Sequence, residues 1–168
     1  MQDLKDLVVE IQDFPKAGIL FRDISPLLRR RFHATISAVD ALFSAREWES
    51  VDVVSGIESR GFIFAAALAE RHGKGVVPIR KQGKLPPPVV DVGYKLEYGT
   101  GVLEMQRGDG RLLLVDDVLA TGGTLSASAR LVREAGYELR GIGVLIDLGF
   151  VPGFASDGHA ARSVIQYG

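Results

Sequence analysis

The sequence predicts an α/β fold: a mainly parallel, twisted sheet with helices on both faces, plus a small N-terminal hood and a flexible lid loop. Two observations lead there. Leu112 to Val115 is a run of four apolar residues without alternation, the pattern of a parallel strand buried on both faces. Short apolar runs at Val51–Ile57, Val76–Ile79 and Gly141–Leu148 are separated by stretches of helical periodicity. Strands that alternate with helices imply right-handed crossovers and a ligand site at the C-terminal ends of the strands.

The bulk properties bound the answer. A chain of 168 residues, 46% hydrophobic and 24% charged, suits one soluble domain spanning 1–168 with a real core. A net charge of −1 gives no basis for general affinity to nucleic acid or to an anionic membrane. The absence of cysteine excludes disulfides and thiolate metal sites and accords with a cytoplasmic setting. Every apolar stretch is shorter than a membrane span, and the N-terminus lacks the apolar core of a signal peptide. The 20 glycines are spread over several loops, so they read as loop chemistry. No internal repeat or linker is visible.

The elements follow in order. Asp3 can cap a short helix through Leu4, Leu7, Val8 and Ile11 that Pro15 ends. Phe14 to Leu28 is too punctuated for a core element and too apolar for an idle loop; with the first helix it makes up the hood, 1–31. Arg29-Arg30-Arg31 reads as a solvated face or the approach to a helix. Phe32 to Trp48 reads as an amphipathic helix with Phe32, Ile36, Val39, Leu42 and Phe43 inward. The strand Val51–Ile57 leads to an Ala-rich, closely packed helix from Gly61 to His72. Val76–Ile79 is the next strand. Residues 83–99, with Pro86-Pro87-Pro88, form the long loop, and such a loop is a functional lid or disordered. Val102–Gln106 returns as a strand, with Arg107–Gly110 as a turn. After the central strand a helix stops at Ala135-Gly136, and Gly141–Leu148 and Ser163–Tyr167 are the last strands.

Four groups of residues carry the chemistry. Asp116 and Asp117 stand where the central strand should end, followed by Ala120-Thr121-Gly122-Gly123-Thr124 and a helix. A strand, a small-residue turn and a helix N-terminus make an anion site, because unpaired N–H groups and the helix dipole converge there. Carboxylates would repel a phosphate but can accept hydrogen bonds from two sugar hydroxyls beside it, so the implied ligand is a ribose 5-phosphate. A lone Asp-Asp or Gly-Gly would be a helix cap or an ordinary turn; the complete run carries the inference. Ser55 to Gly61 is a second strand-to-helix turn, with Arg60 in it. Arg80, Lys81 and Lys84 lie within five positions at the end of the next strand, and together with two anion turns they suit a pyrophosphate. Glu97 sits on the long loop between Leu96 and Tyr98, which on closure would partly dry it and raise its pKa for acid–base work. Without that closure it is a surface carboxylate. His33, His72 and His159 lack metal-ligand spacing. The dinucleotide fingerprint, the P-loop lysine and a Ser/His/Asp set are absent.

The run from Leu112 to Leu125 resembles the signature with which type I phosphoribosyltransferases hold phosphoribosyl pyrophosphate. Phe14–Pro26, Gly56–Phe62, Ile79–Pro86 and Lys95–Gly99 are similar to segments of the adenine phosphoribosyltransferases, in the family's order from about Phe14 to Asp147. The resemblance implies purine salvage: transfer of the phosphoribosyl group to adenine, giving AMP and pyrophosphate. It implies that Ala120 to Thr124 hold the 5-phosphate and that Asp116 and Asp117 take the ribose hydroxyls. Mg²⁺ would be held mainly through substrate and water, with the two acids nearby. Glu58, Ser59, Arg60, Arg80, Lys81 and Lys84 would bind pyrophosphate, with a cis peptide between Glu58 and Ser59. Glu97 would exchange a proton with the base, Tyr98 would help close the lid, and Arg60 would stabilise the leaving group. Leu20, Phe21, Arg22, Val118 and Leu148 would line the base pocket. The family further implies a homodimer. Leu148 to Phe154 departs from the family's usual continuation, and the three prolines after Leu85 exceed its usual number.

Two other readings share these residues: transfer to another purine base, or a non-catalytic regulator that senses the sugar diphosphate. A regulator would need a separate partner-binding segment, for which 168 residues leave no room, and Glu97 on its loop favours catalysis.

Overall fold

The computed structural model describes residues 2–95 and 100–168. Among these, an eight-stranded sheet runs in the order β5-β6-β4-β3-β7-β8-β10-β9. The strands are β3 (Val53–Ile57), β4 (Gly75–Lys81), β5 (Val89–Lys95), β6 (Thr100–Gln106), β7 (Arg111–Leu119), β8 (Glu138–Asp147), β9 (Ala155–Ser156) and β10 (His159–Gln166). The inner five, from β4 to β10, pair in parallel. The β4–β6, β5–β6 and β9–β10 pairs at the two ends are antiparallel.

The central strand β7 behaves as its apolar run predicts: Leu112 to Asp117 are all buried. Leu113 and Val115 pack with Phe64 and Leu68 of α4 (Gly61–His72) and with Ile36 and Val39 of α2 (Ser25–Asp40). Leu112 and Leu114 pack with Leu125 and Leu131 of α5 (Gly123–Glu134). Successive side chains of a strand point to opposite faces, so one strand binds both helical layers and fixes where their ends meet its own. The strand also runs further than its acids suggested. Val118 pairs with Ile146 and Leu119 with Asp147 in β8, so Asp116 and Asp117 lie within the ladder and not beyond it.

Three expectations are corrected. The helix expected from Phe32 to Trp48 is two helices, because Ser44 and Glu47 form a reciprocal capping box that starts α3 (Ala45–Glu49). Its first turns belong to α2, which begins at Ser25 and breaks its helical geometry at Arg31 (φ −137°, ψ 32°). Phe32 opens the second piece of α2 and is 42% exposed; it borders a groove facing Ile63 of α4 instead of entering the core. The 83–99 stretch is not a loop throughout, since Val89–Lys95 forms β5 and pairs residue for residue with β6. Val90 and Val92 supply the reason, being buried in the cluster under α5. At the N-terminus α1 (Gln2–Lys5) starts before Asp3, so Asp3 lies inside the helix and does not precede it. The hood contains a two-stranded antiparallel sheet of β1 (Val9–Ile11) and β2 (Phe21–Asp23). No described helix is long and apolar enough to cross a membrane.

Candidate active site

The C-terminal ends of β3, β4 and β7 open onto a cleft of about 370 Å³, within the usual size of ligand pockets. Its floor is the acid pair. Asp116 is 8% and Asp117 5% exposed, although a carboxylate is seldom buried unless paired. Burial raises the pKa of Asp116 well above the ordinary value, and the neighbouring charge of Asp117 raises it further. Burial raises Asp117 as well, against the opposing pull of the Arg60 guanidinium, which lies 2.8 Å from its Oδ2.

Arg60 reaches that position because the β3–α4 turn folds tightly on itself. A Cβ on Gly56 would stand 2.3 Å from the Gly61 carbonyl oxygen, and one on Gly61 would stand 2.8 Å from Asp116 Oδ1. Two glycines thus allow the turn, the start of α4 and the acid to share one small volume. The Glu58–Ser59 peptide within this turn is cis, as expected. The Arg60 guanidinium carbon also lies 5.1 Å from the Phe21 ring centre, within cation–π range, so the arginine joins the hood to the acids.

Beyond Asp117 the chain passes Ala120 and Thr121 to Gly122, which has a left-handed backbone (φ 80°) and precedes α5. Gly123 is the first residue of α5, and Ala120, Thr121, Gly122 and Thr124 line the cleft. The free N–H groups of this helix start face the same space as the acids, the arrangement that binds phosphate. Gly122 has a second reason to be glycine: a Cβ there would meet the Phe154 ring at 2.4 Å. Phe154 belongs to the stretch after Leu148 that no sequence pattern placed. Its carbonyl accepts a hydrogen bond from the Ala161 N–H at 3.0 Å, and Asp157 pairs with Arg133 of α5. That stretch therefore backs the phosphate loop.

The opposite wall is built from charge. Glu58 Oε2 accepts the Lys81 N–H at 3.0 Å and Arg80 Nε at 3.2 Å. Burial alone would raise the pKa of Glu58, but the Lys81 N–H and Arg80 outweigh it and hold it below the ordinary value. Arg80 also donates from Nη1 to the Lys84 carbonyl at 3.2 Å, so its guanidinium braces the loop that follows β4. Lys81 lines the cleft with Glu58, Ser59 and Arg60. Lys84 is three residues further along the same loop.

In the base-pocket set, Val118 lines the cleft. Leu148 donates its N–H to the Leu119 carbonyl at 3.0 Å and packs against the same core cluster as Val118. Phe21 meets Phe14 edge to face at 5.1 Å. The Arg22 side chain turns to Glu10, at 2.9 Å, and to the Tyr167 ring, at 4.0 Å, so any contact of Arg22 with a base falls to its backbone. Leu20 directly precedes β2 and is half-buried. Glu97 and Tyr98 lie outside the described residues. Ile57, Tyr94, Leu103, Leu119 and Leu125 also line the cleft. Sequence reasoning missed them as site residues because apolar positions of strands and helices look the same whether they meet a core or a ligand.

Comparison with known proteins agrees with this geometry. Residues 33–152 match the family model of the phosphoribosyl transferase domain. The chain is 55% identical over 158 residues to the adenine phosphoribosyltransferase of Hydrogenovibrio crunogenus, covering 94% of this chain and 92% of that one. It is 51% identical over 174 residues to that of Solibacter usitatus, covering 99% of each. Among solved structures, the adenine phosphoribosyltransferase of Saccharomyces cerevisiae, in complex with adenine and an imino-altritol bisphosphate, superposes with a TM-score of 0.87 at 32% identity, covering 97% of each chain. The enzyme of Thermoanaerobacter pseudethanolicus gives 0.85 at 41% identity, covering 99% of each chain.

Proposed function

The chain belongs to the adenine phosphoribosyltransferases, and from that premise we propose how its residues divide the reaction. The enzyme transfers the phosphoribosyl group of phosphoribosyl pyrophosphate to adenine, a purine-salvage step that yields AMP and pyrophosphate. One observation carries the assignment of the site. Asp116 and Asp117 are buried with raised pKa values near the end of β7 and line one cleft with the loop that leads into α5, so a ribose that donates two hydroxyls to them would deliver its 5-phosphate to Ala120–Thr124.

In this proposal the C1–pyrophosphate bond breaks as the imidazole nitrogen of adenine approaches C1. The electron pair leaves with pyrophosphate, and Glu97 takes the proton from the base. Arg60 and Lys81, which line the cleft, would meet that charge, with Lys84 reaching in from the loop after β4, and the buried floor and helix end would supply positioning. Among the described residues no group of three or more acidic or histidine side chains is placed to hold a metal ion. A Mg²⁺ ion therefore fits here as an ion carried by substrate oxygens and water, with Asp116 and Asp117 beside it. When bound it would neutralise charge on the pyrophosphate. We place the enzyme in the cytoplasm and assemble it as a homodimer, a reading favoured by the exposed Phe32 and Ile63 on the groove between α2 and α4.

The choice of base tests the proposal. A carbonyl from Leu20 and an N–H from Arg22 would match the amino group and N1 of adenine, whereas 6-oxopurines invert both positions. Sites built on such hydrogen bonds discriminate by around 10⁴-fold. We expect kcat/KM for adenine to exceed that for hypoxanthine and guanine by about this factor. A ratio near one would contradict the base-reading assignment.

A further inference from the structure

We propose that Glu104 is a positioning residue for the pyrophosphate half of the site, holding the Lys84 loop in place through three backbone N–H groups. The inference rests on the reading of residues 80–84 as the pyrophosphate-binding wall. Glu104 lies on β6 between Leu103 and Met105, both buried in the cluster under α5. Strand alternation sends Glu104 to the other face, where a carboxylate would ordinarily meet water. Here the chain after β4 folds over it, and Glu104 is 2% exposed.

The covering is bonded to the carboxylate. Glu104 Oε1 accepts the N–H groups of Lys84 and Leu85, each at 2.6 Å, and Oε2 accepts that of Gly83 at 2.9 Å. Its cross-strand neighbours are Arg80 on β4 and Asp91 on β5. Arg80 in turn binds the Lys84 carbonyl at 3.2 Å. The Lys84 peptide groups are therefore gripped at the N–H by β6 and at the carbonyl by β4. Hydrogen bonds to an ionised acceptor are about twice as strong as neutral ones, so this is a firm anchor for a turn at the end of a strand. A lysine ammonium moves on a flexible four-carbon stem, and fixing its backbone limits where the charge can reach. Burial would raise the pKa of Glu104, but the three N–H groups outweigh it and keep it below the ordinary value. Glu104 is thus a carboxylate at neutral pH, and it does not line the cleft. Its effect passes through the loop.

The test is calorimetry on the full chain with Mg²⁺, comparing Glu104→Gln, Glu104→Leu and the unaltered protein. Phosphoribosyl pyrophosphate probes both halves of the cleft; AMP, which has no pyrophosphate, probes only the other half. Because a buried N–H left without an acceptor is expensive, affinity for phosphoribosyl pyrophosphate should fall about tenfold in Glu104→Gln and further in Glu104→Leu. AMP affinity should stay within about twofold, as distant sites respond independently. Unchanged binding of phosphoribosyl pyrophosphate in Glu104→Gln overturns the proposal, and so does a parallel loss of AMP binding, which would mark a merely structural role. Should Glu104→Leu not fold, Glu104→Gln alone decides, being nearly isosteric. Failure of the unaltered protein to bind either ligand would overturn the reading of the cleft itself.

Discussion

Asp116 and Asp117 at the floor of the cleft, and Glu58 in its opposite wall with Glu104 behind it, are buried or nearly buried carboxylates with opposite electrostatics. The aspartates have raised pKa values, because burial is only partly offset by Arg60. The glutamates have lowered ones, because backbone N–H groups, joined at Glu58 by the Arg80 guanidinium, outweigh a burial penalty that is the largest single influence on each. Burial alone therefore does not identify a functional acid. What separates the two pairs is whether the protein itself fills the acceptor positions. Glu58 is already bonded to Arg80 and Lys81 at the end of β4, and Glu104 to residues 83–85 just after it. Asp116 and Asp117 hold acceptor capacity that a ribose with two adjacent hydroxyls can use.

The largest effect should come from erasing Asp116 and Asp117, whose internal partners, Arg60 above all, offset burial only in part. In Asp116→Ala/Asp117→Ala, affinity for phosphoribosyl pyrophosphate should drop by about 10³-fold or more, since hydrogen bonds to charged groups contribute about 1.5–3 kcal/mol each. The melting temperature should not fall, because two mutually repelling carboxylates leave the core. Calorimetry and thermal melts check both, and a variant that melts at a lower temperature while binding ligand normally would break the comparison. A smaller effect sharpens it. A carboxyl group whose pKa is raised by folding carries no penalty at low pH, where folded and unfolded chains both hold the proton. As pH rises through the raised value, the folded chain loses its proton less readily than the unfolded chain, and stability declines. Asp116→Asn should therefore raise the melting temperature near pH 8 by about 2–4 °C, equivalent to about 1 kcal/mol for a chain of this size, with the gain vanishing near pH 4. Melts across that range read the outcome.

The two sides also differed in how much of them the sequence disclosed. The β7–α5 side was legible because its signals are contiguous: an unalternating apolar run, two acids, small residues and a helix. The bounds of α4, Gly61 to His72, were legible for the same reason. The opposite wall was legible only in its cations. β5 was hidden by Pro86-Pro87-Pro88 before it and Gly93 within it, and only packing under α5 shows why Val90 and Val92 alternate. Glu104 looked like any polar residue in a strand, since its three partners come from residues 83–85, about twenty positions earlier. Phe154 touches a loop thirty-two positions before it, and no local pattern announces such a contact. The capping box Ser44-Ala-Arg-Glu47 was visible and was read through as helix, because the apolar spacing continued across it.

The central claim, that the β7 acids are poised for ligand while the glutamates are already satisfied, is tested most directly by a carboxyl-carbon NMR titration of the four side chains, with and without AMP. Asp116 should protonate well above the ordinary carboxylate range, Glu58 and Glu104 below it, and AMP should shift the aspartate signals while leaving Glu104 unmoved. Four carboxylates titrating together in the ordinary range, with AMP perturbing all or none of them, would contradict that claim.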